Sequence, residues 1–234
     1  MKQNILLYTD IGDDIDDTLA LCYLLEYTQH NIIAIITTGG DTTQRKKEAQ
    51  HICDIYNVQI PIFAGNSQPI EQDNKPKFIP KLHTIIKAHK DITIASIWPC
   101  TDLAASYRHI PEMKERLTQI IYQWDITQDN KPDIIHAYNF RCDPDAALRC
   151  AQNIKAPQIY VGKQEAYKHP LTKHDLETFS SKPEVNKLLV NKAEQRFQKF
   201  KKLNKEKRLE IYGRNPWVIS FPYDLMTVKK IDLV

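Results

Sequence analysis

Five aspartates crowd eight residues of the stretch "YTDIGDDIDDTLAL" (8–21): Asp10, Asp13, Asp14, Asp16 and Asp17 come directly after the apolar run Ile5-Leu6-Leu7. Like charges at this spacing repel one another and disfavour a compact fold unless a cation or water sits among them. Asp10 stands at the end of a strand pattern. Asp16 and Asp17 open a helix pattern, where the positive end of the helix dipole tolerates acids. Gly12 lets the chain turn sharply between them. A chain that brings Asp10 back against Asp16 and Asp17 makes an oxygen-only pocket of high negative charge. With no His or Cys close by, such a pocket suits Ca2+ or Mg2+ rather than Zn2+. The plainer alternative is a capped helix behind a solvated acidic loop. Asp13 and Asp14 read as bystanders in either case.

These acids need a frame, and the chain supplies a regular one. "NILLYT" (4–9), "NIIAIITT" (31–38), "IPIFAG" (60–65), "ITIASIW" (92–98), "DIIHAY" (133–138) and "QIYVG" (158–162) read as strands. Helical patterns separate them, including 16–29, 43–57, 101–110 and 143–154. This alternation predicts an α/β fold: an open, mostly parallel, Rossmann-like β-sheet flanked by helices, in one domain over 1–234. Ligands of such sheets bind beyond the carboxyl ends of the strands. Those ends deliver Thr9-Asp10, Thr38-Gly39-Gly40-Asp41, Pro99-Cys100-Thr101-Asp102 and, after "DIIHAY", Asn139. Singly these are turn or capping residues: Thr101 and Asp102 for the helix at Leu103, Asp143 for the one at Pro144. Together they outline a polar, acid-rich crevice.

Composition narrows the classes. An apolar fraction of 42% over 234 residues supports a sizeable core. A formal charge of +3 calls for neither nucleic acid nor a membrane surface. Apolar runs such as Ile32 to Ile36 are too short to span a bilayer. The five cysteines are odd in number and lack C-x-x-C spacing, so neither a disulfide framework nor a zinc site is expected. With Met1-Lys2-Gln3-Asn4 leading straight into a strand, a reduced, cytoplasmic, soluble protein is the expectation. One segment stands apart: 187–208 holds nine Lys or Arg against two Glu, with Leu188, Leu189, Phe197, Phe200 and Leu203 at helical spacing. Since the whole chain is nearly neutral, it reads as a solvated amphipathic helix rather than a nucleic-acid face.

Templates for metal and phosphate sites discriminate further. No frame satisfies the EF-hand pattern, and Gly12 lacks the Gly-Lys-Ser/Thr of a phosphate loop. "DIDDTL" (14–19) matches the D-x-D-x-T form of Mg2+-dependent haloacid-dehalogenase-like phosphatases, with Asp14 and Asp16 as the acids. The first Asp of that motif comes immediately after its strand, however, and here Asp10 does.

The ordered set resembles the inosine-uridine-preferring nucleoside hydrolase family, as a divergent, shortened member. "YTDIGDDIDDTLAL" is similar to the family's D-T-D-x-G-x-D-D-A-x-A opening, with two extra loop residues. "TTGGD…IPIFAG", "ITIASIWPCTDLAASYRHI", "HAYNFRCDPDAALRCA" and "FPYDLMTV" resemble its later motifs, in order. The resemblance implies a Ca2+ ion bound by Asp10, Asp17, the backbone carbonyl of Thr101 and Asp224. It implies that Asp16, Asp41 and Asn139 hold the sugar hydroxyls and that Asp10 takes the proton of the attacking water. It further implies a small nucleoside or ribosyl substrate, cleaved to ribose and free base, and a homo-oligomer. The chain departs from the pattern at Tyr8 and Tyr223, where the family has Asp and His, and at Ala137, where it has a Glu that helps hold the sugar's 5′ end. Trp98, Cys100 and Asp102 replace the Gly, Leu and Asn of G-P-L-T-N. No His stands in the usual place to protonate the leaving base; His83, His89, His136, His169 and His174 are the candidates elsewhere.

Overall fold

Strand β1 (Asn4–Thr9) is apolar on both faces because both are covered, as befits the middle of a parallel sheet. A computed structural model describes residues 2–12, 14–71, 73–127, 129, 131–133, 137–201 and 223–233. Around β1 lie β2 (Asn31–Thr37), β3 (Ile62–Ala64), β4 (Ile92–Ser96), β5 (Leu117–Tyr122) and β6 (Gln158–Tyr160). Their order is β3-β2-β1-β4-β5-β6, and every pairing is parallel. The order reverses beside β1, which pairs with β2 on one side (Thr9 opposite Thr37) and β4 on the other (Tyr8 opposite Ser96). The crevice of a doubly wound sheet opens at that reversal, so the residues after β1, β2 and β4 converge there.

Side chains alternate between two cores. Ile5 and Leu7 pack with α1 (Asp16–Glu26), α2 (Thr42–Ile55), α10 (Pro183–Lys201) and α11 (Tyr223–Lys229). Leu6 and Tyr8 pack on the opposite face with α3 (Ile79–Ala88), α4 (Thr101–His109) and α7 (Pro144–Asn153). Each fully buried Ile or Leu in these layers contributes roughly 1.5–3 kcal/mol. Short helices α5 (Met113–Arg116), α6 (Tyr138–Cys142), α8 (Lys163–Ala166) and α9 (Lys173–Glu177) and a closing 3-10 turn (Lys230–Leu233) complete the described elements.

The sequence expectation of strand five needs correcting. The observed strand is Leu117–Tyr122, which continues from α5 without a Gly or Pro to mark the change. Of "DIIHAY", residues 134–136 lie outside the described set; Ala137 is the N-cap of α6 and Tyr138 its first residue. Asn139 is therefore helical rather than a strand-end residue. The capping roles of Thr101 and Asp102 also fall away, since α4 has Cys100 at its N-cap and no side-chain cap bond. Asp143 does cap α7, accepting from Ala146 N at 3.0 Å.

The expected amphipathic helix is present over Pro183–Lys201, with Val185, Leu189 and Ala193 buried one turn apart; residues 202–208 lie outside the described set. A polar clip fastens its approach to α1. Glu26 accepts from Tyr56 Oη at 2.7 Å, Ser181 N at 2.6 Å and Ser180 Oγ. Burial alone would raise its carboxyl, but these donors outweigh it and lower the pKa to about 2. A depressed carboxyl stabilises the fold above its ordinary value and loses that contribution as pH falls through the folded one. Glu26→Gln is therefore expected to lower stability by about 1–3 kcal/mol at pH 7. In chemical denaturation, the difference from the parent closes between pH 4.5 and about 2.

Candidate active site

The β1–α1 turn delivers the acids as its sequence suggests. Asp10 leaves β1, Gly12 takes φ +118°, and Asp16 and Asp17 form the first turn of α1. Thr9 Oγ1 accepts from Ile11 N at 3.1 Å and donates to Asp17 Oδ1, tightening the turn onto the helix. Asp224 arrives from the far end of the chain, in the first turn of α11, which packs against α1. Asp10, Asp16, Asp17 and Asp224 are all buried.

One carboxylate oxygen from each of Asp16, Asp17 and Asp224 lies within 4.8 Å of the others. Asp10 joins through a hydrogen-bonded contact with Asp17. Burial raises the pKa of all four acids. Mutual repulsion adds to it: Asp17 acts on Asp10, Asp14 and Asp17 on Asp16, and Asp16, Asp17 and Asp10 on Asp224. Buried acids this crowded ask for a positive charge among them. The donor set is all oxygen, which fits a hard divalent ion.

The other expected site residues fall in different settings. Thr101 opens α4, where its hydroxyl donates to Asp143 Oδ2. Asn139 Nδ2 is spent on Gln123, donating to its carbonyl at 3.1 Å and to its side chain. Asp41 is exposed and caps α2, accepting from Gln44 N at 2.9 Å. Asp14 is paired with Arg196 of α10 and accepts from Ile15 N at 2.6 Å, which occupies the acid that a phosphatase reading would use as nucleophile. Lys192 of the same helix reaches Glu48 at 3.1 Å. Asp13 and the side chain of Tyr223 lie outside the described set.

The residues at which the sequence departs from the family pattern take settings that the residue string does not show. Asp102 is fully buried, accepting from Asn66 N at 3.0 Å and Asn66 Nδ2 at 2.5 Å, so it braces the loop after β3. Tyr8 and Ala137 are buried in the second core rather than beside the acids. Trp98 covers Gly39, where a Cβ would overlap the indole. Its ring also lies 6.2 Å from the exposed ring of Tyr138. A cavity of about 220 Å³ opens beside it, between Thr38, Gly39, Asn66, Ser67 and Thr101. A larger groove of about 660 Å³ runs along α4 and α7, past Ala104, Arg108 and Asn153, and includes none of the four acids.

A doubly wound sheet with a buried carboxylate set at its topological switch defines the class. Comparison with known proteins defines the family: the profile of the inosine-uridine preferring nucleoside hydrolases matches residues 5–228. The chain belongs to that family. It is 23% identical over 175 residues to the non-specific ribonucleoside hydrolase RihC of Escherichia coli strain SE11, covering 63% of this chain and 57% of that protein. The chain thus spans less than two thirds of the length of this curated relative. Among solved structures, the type III effector XopQ complexed with adenosine diphosphate ribose superposes with a TM-score of 0.77 at 17% identity, covering 97% of this chain and 80% of that one. The plant nucleoside hydrolase PpNRh1 superposes with a TM-score of 0.71 at 20% identity, covering 98% and 78%. At these identities the likeness to solved structures shows the fold. Among the described residues, no helix is long and apolar enough to cross a membrane.

Proposed function

We propose that residues 1–234 act as one domain that hydrolyses the N-glycosidic bond of a ribonucleoside or related N-ribosyl compound, with Ca2+ as cofactor. The observation that carries this reading is the buried set Asp10, Asp16, Asp17 and Asp224 at the sheet's switch point, in a chain of this family. Asp10, Asp17, Asp224 and the Thr101 carbonyl would hold the ion, and the proximity of Asp16 to Asp17 and Asp224 adds it to the set. When bound, the ion supplies Lewis-acid charge that lowers the pKa of a neighbouring water.

Asp10 accepts that water's proton as the oxygen bonds to C1′. The C1′–N bond breaks as this happens, and the base leaves with the bonding pair. Flanking carboxylates stabilise the oxocarbenium-like transition state. Asp16, Asp41 and Asn139 are the residues assigned to the sugar hydroxyls. Five free cysteines, four of them buried, support work in a reducing cytoplasm.

A second reading concerns the substrate. Where the family's pattern has a Glu, this chain has Ala137, buried in the second core, so no carboxylate from this position opposes a 5′-phosphorylated N-ribosyl compound. The adenosine diphosphate ribose bound by XopQ is of this kind. The test is chromatographic: incubation with purine and pyrimidine ribonucleosides and with their 5′-diphosphate-linked N-ribosides, scoring free base. Release from the unphosphorylated set supports the first reading, and release only from the phosphorylated set supports the second. Binding without release makes the chain a ligand-binding descendant.

A further inference from the structure

Arg45 has no role assigned to it by the motifs; in the sequence it is one of three consecutive cations, Arg45-Lys46-Lys47, on a polar helix. In the fold it is 6% exposed. Its Nε donates to the Gly39 carbonyl at 2.7 Å. Its Nη1 donates to the carbonyls of Asp10 and, at 3.4 Å, Ile11. Its Nη2 lies 3.9 Å from Asp10 Oδ2. The guanidinium also lies 5.9 Å from the centre of the Trp98 ring. One side chain therefore joins the turns at the carboxyl ends of β1 and β2 to the loop that leaves β4. Glycines make the room: a Cβ on Gly40, at φ +57°, would stand 3.2 Å from Nη2. A rigid planar guanidinium spreads its donors in a fixed fork that reaches carbonyls on two separate loops, whereas an ammonium gathers its three donors at one point.

We propose that Arg45 is a positioning residue for the acid site, locking the Asp10–Ile11 backbone to the Gly39–Gly40 turn so that the Asp10 carboxylate stays with Asp17. The inference rests on the cation-binding reading above and adds a residue that never touches the ion. Outer residues that orient ligands are typically worth about 10–100-fold in metal affinity. If Arg45 served only as a compensating charge, Lys would replace it without loss.

The test is calorimetric titration of the full chain with Ca2+ for the parent, Arg45→Lys, Arg45→Met and Arg45→Ala, with circular dichroism to monitor folding. The expected result is at least about a tenfold loss of affinity in all three variants. Millimolar methylguanidinium is expected to restore Arg45→Ala and to leave Arg45→Lys unchanged, a pattern that general loss of structure does not produce. Should Arg45→Met fail to fold, Arg45→Lys decides. Parental affinity in Arg45→Lys overturns the positioning role while leaving the cation site standing. A parent chain that takes up no Ca2+ overturns the cation site and the inference with it.

Discussion

Asp10→Asn is expected to cut base release by about 10²–10⁴-fold, the range lost when a positioned general base is removed, while leaving the fold in place. Asn matches Asp in volume and keeps one oxygen, so packing at the end of β1 is preserved. What disappears is the proton acceptor and one negative charge of a buried, mutually repelling set. The metal-free variant should therefore melt at or above the parent's temperature, because a repulsion has been removed. Loss of turnover with an undiminished melting temperature separates a chemical role from a structural one. The combination is read by chromatography of free base alongside thermal denaturation. Release within a few-fold of the parent would remove Asp10 from the mechanism.

Ca2+ should change both the melting temperature and its dependence on pH. In the metal-free chain, Asp10, Asp16, Asp17 and Asp224 have pKa values raised above the ordinary 3.8. A raised folded-state pKa gives a contribution to stability that is complete below the unfolded value and is lost as pH climbs through the folded one. The metal-free protein should thus lose melting temperature from pH 5 to pH 8. Ca2+ should oppose this loss, because it favours the charged carboxylates. Free Ca2+ at a hundred times its dissociation constant adds about 2.7 kcal/mol. In a chain of this size that is a rise of roughly 5–10 °C. Asp224→Ala should abolish most of the Ca2+-dependent rise, since it withdraws one of the three closest carboxylates. Differential scanning calorimetry with Ca2+ or chelator at both pH values makes the comparison. A pH-independent melting temperature that Ca2+ leaves unmoved would contradict the account of the cluster.

Much of this arrangement was legible in the residues, for identifiable reasons. β1, β2 and β4 are continuous β-branched or apolar runs, and a strand buried on both faces leaves that signature. The aspartates of the first turn of α1 were legible because the strand end, Gly12 and the helix pattern fix their spacing. β5 was missed because its six residues come after a single helical turn with no punctuation. "DIIHAY" carries the plainer strand pattern and so points to Asn139 as a strand-end residue, whereas Asn139 lies in α6. Arg45 and Arg196 stayed hidden for another reason. A buried or half-buried arginine looks like a surface one in sequence, and what distinguishes these two is carbonyls and a carboxylate brought close only by folding. Asp41 stands at the carboxyl end of β2 as its place in the sequence suggests, and one of its carboxylate oxygens also caps α2, a contact the residue string does not reveal.

The measurement closest to the central claim is base release from a ribonucleoside panel by the intact chain, tracked through chelation and Ca2+ restoration. Hydrolysis that ceases with chelator, returns with Ca2+ and stays absent in Asp10→Asn is the result expected of a cation-dependent N-ribosyl hydrolase built on Asp10, Asp16, Asp17 and Asp224. Hydrolysis indifferent to chelator, or surviving in Asp10→Asn, would contradict it.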